Sequence, residues 1–258
     1  MHREEHLRAE LVRVSRALHA RGWVANHDGN VTARLDGERF LSTPTATSKG
    51  DVSPASLIVV DRDGALVAGT RKPFSELKLH LAAYRRRSDV GAVVHAHPPN
   101  ASGFAAAGVG LGAPFMAEAV VSIGPEVPLL PFGLPGDPAL DAALSEALAR
   151  ADVFLLGNHG VLVVGPDPDL CLLRLELVEH LCRVALVARQ LGGPRPLPEE
   201  VVSKLADKHR SLFPRELSDG LGGVGGGSGG WSPPDGPHSA GAQSAVDIVA
   251  DALKRLGT

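Results

Sequence analysis

The connections between the strand-like segments of this chain restrict its fold more than any other feature. Short apolar runs cover residues 30–35, 39–42, 57–61 and 65–68, and a turn at 61–64 separates the last two. A parallel pair of strands needs a crossover of a dozen or more residues, whereas antiparallel neighbours can be joined by a tight turn. Because helical segments alternate with such runs, we predict an α/β or α+β fold with a mostly antiparallel or mixed central sheet covered by helices.

Helical periodicity marks other segments. Apolar side chains at spacings of three and four predict an opening helix over residues 2–21. Ser75 is the expected N-cap of a second helix that runs to about Arg87. Further helices are predicted over residues 100–107, 138–150, 167–191 and 198–209, and further strands over residues 90–97, 153–156 and 161–164.

Composition and charge narrow the classes of function. The chain has 258 residues, of which 44% are hydrophobic, enough for one domain with a sizeable core and an appendage. The formal net charge of -3 gives no basic surface for nucleic acid. No apolar run reaches the roughly 18 residues of a membrane span, and residues 1–23 lack the apolar core of a signal peptide. We therefore expect a cytoplasmic protein that binds neither nucleic acid nor membranes.

The two cysteines, Cys171 and Cys182, fall in one predicted helix. Their separation along a helix corresponds to about 16 Å, whereas a disulfide requires Cα atoms within about 7 Å. We expect both to be free thiols of the core, which fits a reducing cytoplasm.

His95 and His97 are the sharpest local signal for chemistry. They follow the apolar run 90–94, which predicts a strand. Residues i and i+2 of a strand face the same side, so both imidazoles can reach one metal ion at about 2.0–2.1 Å. The alternative is that two histidines lie at an exposed strand end by chance.

Asn158-His159-Gly160 lies between two apolar runs, 153–157 and 161–164. A polar triplet at this place is typical of a functional turn on a rigid sheet, although a plain hairpin turn is the alternative. With His95 and His97, His159 would make three protein ligands and leave one position open. That arrangement is typical of a catalytic rather than a structural zinc site.

Weaker signals come from one acid and two turns. Glu76 follows Pro73-Phe74-Ser75 at a predicted helix start, where acids are favoured by the helix dipole whether or not they act in catalysis. Asp28-Gly29-Asn30 and Thr43-Pro44-Thr45 are turn sequences whose backbone NH groups can cradle a phosphate, although ordinary turns share this composition.

Taken in order, these segments resemble the class II aldolase/adducin family over about residues 3 to 210. The family carries a glycine–asparagine loop, a second phosphate-loop segment, a proline-serine-serine-glutamate motif and two metal-ligand motifs. Five motifs in the same order are more specific than any one of them. The matching segments are Gly29-Asn30-Val31-Thr32-Ala33-Arg34, Thr43-Pro44-Thr45, Pro73-Phe74-Ser75-Glu76, Val93-Val94-His95-Ala96-His97 and Asn158-His159-Gly160.

The resemblance implies a three-layer αβα sandwich, usually assembled as a homotetramer with sites between subunits. It implies one divalent metal per site, either Zn²⁺ or another such ion as Mn²⁺, Co²⁺ or Fe²⁺. The residues implied are His95, His97 and His159 for the metal, Glu76 for acid/base catalysis, and Gly29, Asn30, Thr45 and Ser75 for the phosphate of the substrate.

The activity best known in this family is fuculose-phosphate aldolase, which splits a deoxyketose phosphate into dihydroxyacetone phosphate and lactaldehyde. A divalent cation would stabilise the enediolate as a Lewis acid, and Glu76 would take the proton next to the carbonyl in the condensation direction. One alternative is a sugar-phosphate dehydratase or a decarboxylase on the same scaffold. Another is a non-enzymatic, adducin-like interaction protein, but the complete metal set argues for an enzyme.

Three positions depart from the family pattern. Phe74 replaces the first serine of the glutamate motif, which normally helps to bind phosphate, and Ala46 replaces a glycine. The family aldolase uses a tyrosine to protonate the leaving fragment, and we find none at an equivalent place; Phe115 lies near that region. An epimerase relative carries aspartate at the position of Glu76, so glutamate favours aldolase-like chemistry.

The composition changes after the predicted catalytic domain, which we place at residues 1–215. Residues 216–242 form a predicted flexible linker, rich in glycine and proline. Residues 243–258 form a predicted amphipathic helix with one apolar stripe. This tail resembles the encapsulation peptides that direct enzymes into bacterial microcompartments, which implies docking on a shell or partner protein. The alternative is that the helix folds back on its own subunit or tetramer. The apolar stripe consists of Ala245, Val246, Ile248, Val249, Ala252, Leu253 and Leu256.

Overall fold

The structure, a computed structural model, describes residues 3–218. Its helices are α1 (Arg3–Ala20), α2 (Leu77–Arg86), α3 (Pro99–Ala106), α4 (Ala117–Ile123), α5 (Pro138–Ala147), α6 (Pro168–Gln190) and α7 (Glu199–Leu212). Its strands are β1 (Asn30–Arg34), β2 (Arg39–Ser42), β3 (Ile58–Asp61), β4 (Leu66–Ala68), β5 (Ala92–Ala96), β6 (Leu129–Leu130), β7 (Val153–Leu156) and β8 (Gly160–Gly165). Single 3₁₀ turns cover Lys49–Asp51 and Pro54–Ser56.

The strands of the described region form one sheet in the order β4-β3-β2-β1-β5-β8-β7-β6. Every pair of neighbours is antiparallel except β6 and β7, which are parallel. The predicted mostly antiparallel or mixed sheet is therefore confirmed. Short connections such as residues 35–38, between β1 and β2, allow only antiparallel pairing.

Helices cover both faces of this sheet, which confirms the three-layer αβα architecture. Alternate residues of a strand point to opposite faces. Val94 and Val163 therefore pack in one core cluster with side chains of α1, α3 and α6. Val93 and Leu162 pack in the other, with side chains of α2 and α5. Fully burying each such side chain contributes roughly 1.5–3 kcal/mol to folding.

The topology brings several chain segments together at one end of the strands, which we call the site end. β5 and β7 both pair antiparallel with β8, so they run in the same direction and finish at this end. β1 begins here because Asn30 is paired with His95, and β2 finishes here because Ser42 is paired with Thr32. The turn between β7 and β8 lies at the same end.

The structure corrects the predicted start of α2. Ser75 is not the N-cap: the helix begins at Leu77, and Glu76 is the cap residue. The physical reason is that the carboxylate of Glu76 turns away from the helix toward Asn30 and His159 instead of capping a backbone NH group.

Two short elements were not predicted, namely α4 and β6. They lie between residues 107 and 137, where glycines and prolines interrupt the apolar periodicity. β6 is two residues long, and α4 packs mainly against α7, a contact that no local pattern reveals.

Three other expectations concern the cysteines, membrane-spanning helices and the linker. Cys171 and Cys182 are buried free thiols, as predicted. Among residues 3–218 no helix is long and apolar enough to cross a membrane. The predicted linker begins within the described region, and there Ser218 and Glu216 form backbone hydrogen bonds with Arg86 and Ser88. The rest of the linker and the tail helix at 243–258 lie outside the described residues.

Candidate metal and substrate site

The three predicted ligand histidines converge at the site end. His95 is the fourth residue of β5, His97 follows that strand, and His159 lies in the turn between β7 and β8. One ring nitrogen from each lies within 4.8 Å of the other two. The Nε2 atoms of His95 and His97 are 3.0 Å apart. The sequence separation of 62 to 64 residues between these groups is closed because β5 and β7 are both hydrogen-bonded to β8.

The donor set and its orientation fit a divalent metal ion. Nδ1 of His95 lies 2.9 Å from the carbonyl oxygen of Val161, so that nitrogen carries the proton and donates it. This leaves the Nε2 lone pair of His95 directed toward the other two rings. A hydrogen bond from the second ring nitrogen to a carbonyl fixes the tautomer in many metal-ligating histidines. Three imidazoles suit zinc and several other first-row metals.

Glu76 joins the histidine cluster directly. Its Oε1 atom lies 3.1 Å from Nε2 of His159, and its Oε2 atom lies 3.8 Å from Nε2 of His95. The side-chain amide of Asn30 donates a 2.7 Å hydrogen bond to Oε2. Because Glu76 immediately precedes α2, the first turn of this helix holds the carboxylate over the site end.

The surroundings of Glu76 keep its carboxyl group ionised. Burial acts to raise the pKa of Glu76, but the hydrogen bond with His159, the proximity of His95 and the amide of Asn30 together lower it below the ordinary value. A carboxylate rather than a carboxylic acid is the form that can accept a proton from a substrate.

Burial also sets the charge state of two histidines. It lowers the pKa of His95 to about 3, against the opposing effect of Glu76. Burial likewise lowers the pKa of His97, and the neighbouring His159 acts in the same direction. Both rings are therefore neutral near pH 7, which is the form that binds a metal.

Two glycines of the motifs are required by close packing around the histidines. Gly29 has φ +69°, and a Cβ atom there would lie 2.5 Å from Cγ1 of Val24 and 3.0 Å from the carbonyl oxygen of His95. A Cβ atom on Gly160 would lie 2.5 Å from Cδ2 of His97. Only glycine allows these contacts without a shift of the backbone or the ring.

The candidate phosphate residues fall into two groups. Gly29 and Asn30 adjoin the histidines, as described. Thr45 and Ser75 are exposed, and among the hydrogen bonds of residues 3–218 neither side chain contacts the histidine cluster. The backbone NH of Thr45 donates to the carbonyl of Lys72 at 3.0 Å, so this loop lies beside the segment that leads into Ser75 and Glu76.

Phe74 and Ala46 occupy the places where the resemblance predicted serine and glycine. Phe74 is half-buried and contacts His80 edge to face, with ring centroids 5.2 Å apart. Ala46 adopts φ +51°, a left-handed conformation that glycine takes more easily. The loop therefore keeps the backbone conformation that a glycine would favour, although the residue differs.

Sequence reasoning did not assign His80 or Lys49 to the site, and it marked Asp28 only as part of a turn that could cradle a phosphate. His80 lies four residues after Glu76 on α2, is fully buried, and pairs through Nδ1 with the hydroxyl of Thr32 at 2.9 Å. The i, i+4 spacing from Glu76 was a usable signal for it. Oδ2 of Asp28 lies 3.6 Å from Nδ1 of His97, and Lys49 is buried beside the same loop. Nothing in the local sequence marks Lys49, and nothing in it predicts that Asp28 lies beside His97.

Residues 9–186 match the family described as Class II Aldolase and Adducin N-terminal domain. The chain therefore belongs to this family, as its motifs had indicated. The match spans the histidines, Glu76 and both loops at the site end. Members of this family of enzymes depend on a divalent metal, and the histidine cluster provides a place for one.

Curated relatives carry two kinds of enzyme name. A 5-deoxy-D-ribulose 1-phosphate aldolase of Bacillus thuringiensis serovar kurstaki is 29% identical over 203 residues, which cover 78% of this chain and 94% of that protein. A 3-oxo-tetronate 4-phosphate decarboxylase of Cupriavidus necator is 31% identical over 220 residues, which cover 83% of this chain and 100% of that protein. An L-fuculose phosphate aldolase of Methanococcus maripaludis is 30% identical over 184 residues, which cover 70% of this chain and 97% of that protein.

Solved structures share the fold. The crystal structure of YgbL from Escherichia coli, titled a putative aldolase/epimerase/decarboxylase, superposes with a TM-score of 0.72 at 28% identity. It covers 79% of this chain and 99% of its own length. A structure of L-fuculose 1-phosphate aldolase superposes with the same TM-score of 0.72 at 25% identity, covering 80% of this chain and 96% of that one.

Proposed function

We propose that this protein is a metal-dependent aldolase that cleaves a deoxyketose phosphate into dihydroxyacetone phosphate and an aldehyde. The observation that carries the proposal is the convergence of three imidazoles and one ionised carboxylate at the site end. His95, His97 and His159 would hold the metal, with zinc as the first candidate and manganese, cobalt or iron as alternatives. The ion would act as a Lewis acid that stabilises the enediolate oxygen atoms of the reacting sugar.

Glu76 would move the proton in this reaction. In the condensation direction its carboxylate takes a proton from the carbon next to the carbonyl of dihydroxyacetone phosphate, and in cleavage it returns that proton. Asn30 would orient the carboxylate through its 2.7 Å hydrogen bond to Oε2. The other oxygen, Oε1, lies 3.1 Å from Nε2 of His159.

The phosphate of the substrate would lie against the two loops at the site end. Gly29, Asn30, Thr45 and Ser75 are the proposed contacts, chiefly through backbone NH groups and the remaining hydroxyls. Exposure of Thr45 and Ser75 leaves their hydroxyls accessible to a ligand. Equal turnover of a phosphorylated sugar and its unphosphorylated form would count against this part of the proposal.

The proton for the leaving fragment must come from a group other than Tyr84. Tyr84 is the only tyrosine of the chain, and it stacks on Phe40 in the core with ring centroids 4.5 Å apart. Burial raises the pKa of its hydroxyl above the ordinary range, although the hydrogen bond with Thr32 opposes this. Phe115, near the predicted position of the missing tyrosine, carries no proton to give.

A decarboxylase is the second candidate, favoured by the relative from Cupriavidus necator that bears this name. Loss of carbon dioxide from a 3-oxo acid leaves the same kind of enediolate as aldol cleavage, so the same metal and histidines would serve both reactions. The two reactions differ in the bond that breaks and in the neutral product that leaves.

Product analysis separates these functions. Zinc-loaded protein is incubated with a panel of ketose 1-phosphates and with 3-oxo-tetronate 4-phosphate, and the products are read by mass spectrometry. We expect equimolar dihydroxyacetone phosphate and an aldehyde from at least one ketose phosphate. Release of carbon dioxide alone would select the decarboxylase, and loss of water alone would select a dehydratase. Absence of any turnover in metal-loaded protein would contradict both lyase proposals.

We further propose, from the resemblance, that the protein assembles as a homotetramer. Sedimentation velocity of the full chain measures this directly. A monomer at micromolar concentration would contradict it.

The tail suggests a location for the enzyme. On its sequence pattern alone, we propose that residues 243–258 dock on a microcompartment shell protein. The enzyme would then lie in the cytoplasm, enclosed within such shells. Enclosure would retain a reactive aldehyde product. Residues 220–258 are fused to a fluorescent protein in cells that make shells, and puncta are expected. Fluorescence as diffuse as that of a fusion without the tail would contradict the proposal.

A further inference from the structure

Three long cationic side chains are fully buried in the described region: Arg87, Arg174 and Lys49. The two arginines share the carboxylate of Asp152. Lys49 is 1% exposed, and among the ion pairs of residues 3–218 none includes it. Buried charges are ordinarily paired with an opposite charge. A buried ammonium group without a contacting carboxylate therefore needs a reason of its own.

The ammonium group of Lys49 lies between the two loops of the site end. Its Nζ atom donates to the carbonyl of His27 at 3.1 Å and to the carbonyl of Thr47 at 2.7 Å. His27 lies two residues before Gly29, and Thr47 lies two residues after Thr45. One side chain thus joins the loop of Gly29 and Asn30 to the loop of Thr45, the two segments proposed to bind the phosphate.

The lysine is held in this position by its own local structure. It opens the 3₁₀ turn Lys49–Asp51, and the hydroxyl of Ser48 accepts a 3.3 Å hydrogen bond from the NH of Gly50. Gly50 lies close against His19 of α1: an added Cβ atom would be 3.0 Å from the ring. The turn is therefore packed between α1 and the two loops and is not a free surface segment.

The charges around Lys49 favour keeping the proton near neutral pH. Burial lowers the pKa of Lys49 to about 8, and the carboxylates of Asp28 and Glu76 act in the opposite direction. An ammonium group has three N–H donors, of which the two carbonyls take two. Because Lys49 is itself buried, water and salt screen its charge less than they would screen that of an exposed lysine.

We propose that Lys49 supplies the fixed positive charge of the phosphate subsite and positions its two loops, so that it favours phosphorylated over unphosphorylated substrates. The inference rests on the proposed function, because it assigns a residue to the phosphate of that substrate. Phe74 removes a hydroxyl from the subsite, and the positive charge of Lys49 compensates for this loss. Lys49 acts through the loops and through space, and is thus a positioning residue.

Binding of dihydroxyacetone phosphate, with unphosphorylated dihydroxyacetone as the neutral probe, tests this role. Both are titrated calorimetrically into zinc-loaded full-length protein and three variants. Lys49→Gln keeps two N–H donors but removes the charge, and Lys49→Arg keeps the charge. Lys204→Met, on the exposed face of α7, is the matched control for loss of one positive charge. Zinc content and thermal unfolding are recorded for every protein.

We expect Lys49→Gln to bind dihydroxyacetone phosphate about tenfold or more weakly, because the attraction between a fixed positive charge and the phosphate is lost. Dihydroxyacetone binding should stay within about twofold, and Lys49→Arg should recover part of the lost affinity. Wild-type affinity for the phosphate ester in folded, zinc-loaded Lys49→Gln would overturn the inference. An equal loss for both ligands would also overturn it, because it would indicate a general structural role.

A crystal structure of the wild-type protein with dihydroxyacetone phosphate provides a test that needs no variant. We expect the phosphorus atom within about 8 Å of Nζ of Lys49, since screening becomes strong beyond the Debye length. A phosphate bound farther away would overturn the inference while leaving the aldolase proposal intact. Failure of the wild-type protein to bind this ligand or to turn over any ketose phosphate would instead reject the proposed function.

Discussion

The two ends of the central sheet hold buried charged groups in opposite ways. At the site end, the partly buried carboxylate of Glu76 lies close to two histidines, His95 and His159, and forms no ion pair with an arginine of residues 3–218. At the other end, which we call the arginine end, the carboxylate of Asp152 contacts three arginines and a histidine. Asp152 precedes β7, whereas His159 follows it, so a single four-residue strand separates the two arrangements.

The arginine end is neutralised from within the chain. Oδ1 of Asp152 lies 2.5 Å from Nη1 of Arg87 and 3.1 Å from Nε of Arg215, and Oδ2 lies 3.0 Å from Nη2 of Arg174. These partners come from segments far apart in the sequence, and they tie α6 and the chain after α7 to the sheet. Burial raises the pKa of Asp152, but the charge of Arg174, the hydrogen bond with His209 and the other arginines lower it well below the ordinary value.

At the site end, Glu76 has no such arginine partner among residues 3–218. His95 and His97 are neutral near pH 7, because burial depresses the pKa of both rings. Glu76 therefore faces nitrogen donors rather than permanent cations. The comparison shows two uses of a buried acid. Asp152 is paired with arginines of the same chain and serves stability. Glu76 lies beside histidines that can bind a metal ion, and we propose that it serves catalysis.

The largest expected effect is on activity, from removal of a ligand at the site end. His97→Ala should lower kcat/KM by about 10³-fold or more, since a metal supplies several kcal/mol of transition-state stabilisation. Bound metal per chain should fall with it, as measured by mass spectrometry. The control is His180→Ala, an exposed histidine on α6. If His97→Ala retained metal and activity while the control behaved like wild type, His97 would not be a ligand.

At the arginine end, Asp152→Asn should act on stability instead. We expect a loss of about 3–5 kcal/mol in the free energy of unfolding, because buried arginines lose their counter-charge. Urea denaturation measures the effect, and Asp207→Asn, an exposed acid on α7, should stay within about 0.5 kcal/mol of wild type. An unchanged unfolding midpoint for Asp152→Asn would show that the arginines do not depend on this carboxylate.

The same pair of proteins gives a pH test. The folded-state pKa of Asp152 lies below its unfolded value, so its contribution to stability is fully present above the unfolded value of about 3.9. This contribution is lost as the pH falls through the folded-state pKa. The stability difference between wild type and Asp152→Asn should therefore shrink below about pH 4. A difference that grew on acidification would reverse the assigned sign.

Glu76→Gln should produce a smaller effect on activity and little on folding. The amide keeps the shape of the side chain but cannot take a proton, so kcat should fall about 100-fold or more while the metal content stays constant. Glu200→Gln, an exposed acid at the start of α7, is the matched control. A kcat close to that of the wild type would show that Glu76 is not the acid/base and is only an acid favoured by the helix dipole.

Asn30→Ala should have the smallest of these effects. Loss of the 2.7 Å hydrogen bond to Oε2 frees the carboxylate of Glu76, and we expect kcat to fall by about tenfold with KM little changed. Asn100→Ala removes a similar amide–carboxylate hydrogen bond, to Glu179, and provides the comparison. A change confined to KM would assign Asn30 to substrate binding rather than to positioning Glu76.

The sequence revealed the two ends unequally. His95, His97 and His159 could be found because each lies in or directly after a recognisable strand, and strand periodicity places His95 and His97 on one side. The hydrogen bond between Asn30 and Glu76 could not be found from spacing, since the two residues come from different elements and are 46 positions apart. The resemblance to a family, not periodicity, brought these two residues into one site.

The arginine end left no usable signal. Asp152 stands alone between a helix and a strand, and its partners lie 22 to 65 residues away, so only the finished topology brings them together. The role of Lys49 could not be predicted either, because its partners are backbone carbonyls, which no side-chain pattern encodes. Long, periodic elements such as α6 were predicted within one or two residues, whereas α4 and β6 were too short to show a period.

Metal content measured together with activity tests the central claim most directly. The purified full-length protein is analysed for metal, treated with a chelator, dialysed, and then titrated with zinc while cleavage of a ketose phosphate is followed. We predict one equivalent of divalent metal per chain, loss of activity on chelation, and recovery that saturates at one added equivalent. A chelated protein that contains no metal and still cleaves the substrate at the original rate would contradict the account.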